Sequence, residues 1–138
     1  MSAPLLLIAL FWLQAQPEAT IHPDYELIAV APESDFEACG VADIDNDGDM
    51  DIACGDTWYE APDWTPHEIS LIRNVGGYRV DFADVPMDVD GDGHVDIVSC
   101  SWHDRGVFWR RNPGTTDAHW ETHAVARPGN METAIGAD

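Results

Sequence analysis

Nine residues of this chain occur twice, with an offset of 45 residues (43 to 88). The first copy is Asp43-Ile44-Asp45-Asn46-Asp47-Gly48-Asp49-Met50-Asp51, and the second is Asp88-Val89-Asp90-Gly91-Asp92-Gly93-His94-Val95-Asp96. Each reads D-x-D-x-D-G-x-x-D. Side chains at positions 1, 3 and 5 of such a loop converge on one hard cation, and Gly at 6 permits the sharp turn this requires. Asp at 9 can close the shell. Two loops of this kind at one spacing predict a repeat protein that binds calcium.

The charge balance fits that expectation. The chain of 138 residues has 26 Asp and Glu against 6 Arg, no Lys, and a formal net charge of -20. Such a surface argues against a nucleic-acid partner, which needs a basic face. Nine of the 26 acids fall inside the two loops. They repel one another in an empty site, so folding should depend on bound cation. A hydrophobic content of 45 %, with six Trp, excludes a disordered acidic tail.

Residues 1–19 read as a signal peptide and leader. Pro4 to Leu13 is an apolar run of about ten residues, too short to span a bilayer. Ala15 suits the last position before a cut. The amino terminus is the one positive charge before the run, which departs from the usual pattern, and a buried apolar strand is the other reading. No other segment is a transmembrane candidate, and calcium loops suit a secreted or extracytoplasmic site, in the periplasm or at the cell surface. Cys39, Cys54 and Cys100 allow one disulfide with one Cys left over. Cys39 and Cys54 flank the first loop and can face each other across it; small buried thiols are the alternative.

Both loops precede the same series of elements. A short apolar stretch follows each: Ile52-Ala53-Cys54, and Ile97-Val98-Ser99-Cys100. Then comes an aromatic strand ending at proline, Trp58 to Pro62 and Val107 to Pro113. A third element reads W-x-x-H-x-(Ile/Val), Trp64 to Ile69 and Trp120 to Val125. Repeats of about 40 to 50 residues made of short strands mark a β-propeller with one four-stranded blade per repeat. Ala134 to Asp138 resembles the lead into the first loop, so Asp138 would open a third. The expectation is an all-β partial propeller of about two and a half repeats over 20–138, cut from a longer one of roughly four to eight blades.

These loops, strands and spacings resemble FG-GAP (VCBS-type) repeats, the blades of integrin-α-like β-propellers, most closely those of secreted bacterial proteins. The resemblance covers about residues 36–138. It carries the metal ligands over to Asp43, Asp45, Asp47 and Asp51, and to Asp88, Asp90, Asp92 and Asp96. Position 7, Asp49 or His94, would give a backbone carbonyl, so the exchange of Asp for His is tolerated. The second copy keeps Asn112-Pro113-Gly114 of the family's strand ending; the first has Glu60-Ala61-Pro62. The rival EF-hand needs Glu at position 12, where this chain has Cys54 and Ser99.

The resemblance implies a secreted module for protein or carbohydrate interaction, with structural calcium at about one ion per loop. The alternative is the N-terminal propeller part of a carbohydrate-active enzyme of polysaccharide-lyase or sugar-dehydratase type. The chain shows no Ser/His/Asp elbow, phosphate loop or Cys nucleophile context, so the binding module is preferred. His67 and His123 occupy matching positions, which favours packing within each repeat over catalysis. Trp102-His103-Asp104-Arg105 is not repeated; it reads as a surface turn, and its Trp could contact sugar.

Overall fold

The computed structural model describes residues 27–136, so the expected leader (1–19) and the first residue of a third loop, Asp138, lie outside the described residues. Ten strands and no helix form within that span. They are β1 (Gly40–Ala42), β2 (Asp51–Cys54), β3 (Thr57–Glu60), β4 (Thr65–Glu68), β5 (Asn74–Val75), β6 (Tyr78–Arg79), β7 (Ala83–Met87), β8 (Asp96–Ser101), β9 (Gly106–Arg111) and β10 (Glu121–Ala126).

All pairings are antiparallel. Strands β1 to β4 make one four-stranded meander, β7 to β10 a second, and β5 and β6 a separate hairpin. The hairpin turns at Gly76-Gly77, both at positive φ (63° and 94°). That geometry is cheap only for residues without a side chain and matches the twist of a tight hairpin. The two meanders use the same order of parts. In each, an acidic loop joins the first strand to the second, and the aromatic strand comes third.

Alternation sets the faces. In β2, Asp51 and Ala53 are buried while Ile52 and Cys54 are half-buried. Strand β8 is buried along almost its whole length, as expected of a strand covered on both faces. A single core of Ile44, Ala53, Trp58, Ile69, Ile97 and Trp120 draws on both meanders. Polar ties join them as well. Trp120 N donates to Ile69 O at 2.8 Å, and β1 packs directly on β7. A Cβ on Gly40 would meet Pro86 Cγ at 2.7 Å and Asp84 O at 2.9 Å, so that approach requires glycine.

Candidate metal centre

Both acidic loops are shaped by their own backbone amides. Position 4 and position 6 are left-handed in each: Asn46 (φ 65°) and Gly48 (100°), then Gly91 (77°) and Gly93 (88°). Asn is among the few residues with a side chain that visit this region readily. The amide of position 6 donates to the carboxylate at position 1, Gly48 N to Asp43 Oδ2 at 3.1 Å and Gly93 N to Asp88 Oδ2 at 3.0 Å. The amide of position 5 donates to position 3 at 3.2 Å in both loops. The amide of position 7 donates to position 5, at 2.8 Å for Asp49 to Asp47 and 3.0 Å for His94 to Asp92. These bonds draw the carboxylates together against their own repulsion.

Two groups result that can hold a metal ion. Asp43, Asp45 and Asp47 each offer an oxygen within 4.8 Å of the others, as do Asp88, Asp90 and Asp96. Asp43 Oδ1 is buried and has no hydrogen-bond partner. An anionic oxygen so placed suits a cation, because leaving it unpaired is costly.

The ninth position has a structural role beside that of the expected closing ligand. Asp51 and Asp96 are fully buried, and each carboxylate accepts two backbone bonds. Asp51 takes Ile44 N and Ala61 N, both at 2.9 Å. Asp96 takes Val89 N at 3.0 Å and Asn112 N at 2.7 Å. Each therefore clamps its loop to the end of the third strand. Asp51 stands outside the first carboxylate group, and Asp92 outside the second. The Asp49 side chain is exposed, and the His94 ring meets Asn46 Nδ2 through Nδ1 at 3.2 Å.

Electrostatics distinguish the loops. Burial pushes the Asp45 carboxyl above the usual carboxylate range, aided by the charges of Asp47, Asp51 and Glu60 and opposed by the Asp47 amide. In the second loop Arg111 reaches Asp90 Oδ2 at 2.6 Å and Asp92 Oδ2 at 2.8 Å. Its hydrogen bond holds the Asp90 carboxyl below the ordinary value. The Arg111 guanidinium, from β9, thus partly neutralises the second loop.

The loops also touch. Asn46 Nδ2 donates to Gly93 O at 3.1 Å. The buried Asn112 donates to Ile44 O and Val95 O, both at 3.0 Å, and so grips both loops at once. Nearby, Arg110 is buried between the meanders, with Nη2 2.8 Å from Asp81 Oδ2 and Nη1 2.7 Å from Gly55 O. Asp84 completes this group and accepts Gly55 N at 2.8 Å. Burial, outweighing the attraction of Arg110, pushes the Asp81 carboxyl up to about 7. Arg110 and Arg111 escape sequence reasoning, although adjacent arginines in a chain with so few cations are a signal; Asn112 is singled out there as part of the strand ending, without its grip on both loops.

His67 and His123 lie opposite Trp58 and Trp109 on neighbouring strands. Their rings sit 4.4 Å and 4.8 Å from those of the tryptophans. His67 also bonds Glu60 at 2.6 Å. Trp58 and Trp120 enter the core, whereas Trp64 and Trp109 are half-buried. Trp102 and His103 are exposed at the β8–β9 turn, and Asp104 pairs with Arg73. Among the described residues no helix is long and apolar enough to cross a membrane. No family model, curated protein or solved structure matches this chain.

Proposed function

We propose that this chain is a calcium-stabilised segment of a β-propeller of FG-GAP/VCBS type, acting outside the cytoplasm as a module that binds protein or carbohydrate. The observation that carries the reading is the equivalence of the two loops. Each joins the first to the second strand of a four-stranded meander and gathers three carboxylates. The packing of β1 on β7 supports the propeller, since first strands of successive blades meet near its axis.

Asp43, Asp45 and Asp47, with the Asp49 carbonyl and Asp51, would hold one ion. Asp88, Asp90, Asp92, the His94 carbonyl and Asp96 would hold the other. Oxygen-only donors with several carboxylates suit calcium rather than a softer metal. The ion neutralises the clustered acids and fixes the strand connection, so its contribution is structural. The exposed, unrepeated Trp102 turn is the segment best suited to meet a ligand, because aromatic faces stack on sugars and proteins alike.

Calorimetric titration of the metal-free chain with calcium tests this. Two equivalents should bind to the wild type and one to Asp47→Asn. Uptake of none, or uptake unaffected by the substitution, contradicts the assignment.

A further inference from the structure

Strands β1 and β2 pair Ala42 with Asp51, Val41 with Ile52 and Gly40 with Ala53. One step outward on the same ladder sets Cys39 opposite Cys54. Exposure agrees with that continuation. Gly40 and Ala53 are buried, while Val41 is exposed and Ile52 half-buried; Cys39 is exposed and Cys54 half-buried, on the same face as Val41 and Ile52. Directly opposed residues of antiparallel strands have Cα atoms about 4.5 to 5.5 Å apart, inside the window of roughly 4.4 to 6.8 Å that a disulfide needs. The third thiol is unsuited to compete. Cys100 is fully buried in the middle of the second meander, opposite Ala83 and Val107.

We propose that Cys39 and Cys54 form a cross-strand disulfide that closes a covalent ring around the first acidic loop. Both thiols are free in the structure, and the Ser34 hydroxyl lies 3.5 Å from Cys54 Sγ. Bond formation requires the Cys54 side chain to leave that contact and turn toward Cys39. With a small-molecule disulfide such as oxidised glutathione as oxidant, one protein thiolate attacks it and displaces one glutathione thiolate. The second protein thiolate then attacks the mixed disulfide and displaces the other. The protein loses two protons and two electrons, and the oxidant becomes two thiols. Partial loss of solvent around each sulfur raises both thiols above their ordinary pKa, with Asp84 contributing. The exchange should therefore be faster at alkaline pH, where thiolate accumulates.

The ring spans Asp43 through Asp51 and ties β1, a three-residue edge strand, to its neighbour. The bond stands on the strand ladder and does not depend on the calcium reading. The test is to incubate the full chain in a glutathione redox buffer, block remaining thiols, and map linked peptides by mass spectrometry. A parallel sample is oxidised in guanidinium chloride. The native sample should lose two of its three thiols and yield the Cys39–Cys54 linked pair, enriched over the denatured sample. The Cys100→Ser protein should form the same bond. Cys39→Ser and Cys54→Ser should each retain all thiols in the monomer. Three titratable thiols in the folded wild type, a linkage through Cys100, or no enrichment over the denatured sample would each overturn the proposal.

Discussion

Asp51 and Asp96 show how one carboxylate serves two purposes. A surface aspartate at the end of a metal loop would be free to turn toward the ion. Here both oxygens are already committed to backbone amides, one in the loop and one after the third strand. Each oxygen has a second lone pair, so the clamp and a metal contact are compatible. Replacing Asp51 with Asn offers one acceptor and one donor to two donors, leaving a buried amide unpaired. The expected loss is about 1 to 3 kcal/mol of stability, present even in EDTA. Urea unfolding of the metal-free variant measures it, and an unchanged midpoint would rule out the clamp. The loop acids were legible in the sequence through their spacing, although the first loop gathers positions 1, 3 and 5 and the second gathers 1, 3 and 9. The clamp was hidden because its partners, Ala61 and Asn112, lie 10 and 16 residues further on. Only the paired strands bring them back.

At the scale of elements, the two left-handed glycines that shape the first meander are held by different causes. Gly48 (φ +100°) has nothing within 4 Å of an added Cβ, so its requirement is purely conformational. Gly48→Ala should cost about 1 to 2 kcal/mol. Gly55 (φ +64°) lies under Phe36, whose ring would be 2.2 Å from the new Cβ. Gly55→Ala should cost about 1 to 3 kcal/mol more, because the ring must be displaced as well. Equal losses in thermal unfolding would show that Phe36 does not cover this turn. Strands β2, β3, β8 and β9 were readable from apolar and aromatic runs bounded by turn residues. Strands β1 and β7 were not. The first is three residues long, and the second contains Pro86, which reads against a strand. Pro86 is accommodated because β7 is an edge strand of its sheet, where a missing N–H costs no ladder bond. The β5–β6 hairpin has only its Gly76-Gly77 turn as a signal, since its strands are two residues each.

At the largest scale, the described residues form two similar meanders and a small hairpin, the meanders held together by a small shared core and a set of polar ties. Six side chains form that core. Around it, Arg110 links β9 to Gly55 and Asp81, Asn112 links both loops, and Asn46 reaches Gly93. The loops therefore sit at the junction of the meanders, and on the proposed reading a cation held there would stabilise the junction as well as each turn. A chain of net charge -20 folds against its own repulsion. The all-β class and the order of elements within each meander were legible in the duplicated motif. The ties between meanders were not, since they depend on which repeat neighbours which. Thermal unfolding of the chain followed by circular dichroism, first with calcium and then with excess EDTA, bears on this most directly. Calcium should raise the midpoint strongly, by more than an equal ionic strength of sodium chloride. A folded signal with the same midpoint in both conditions would contradict a structural role for calcium.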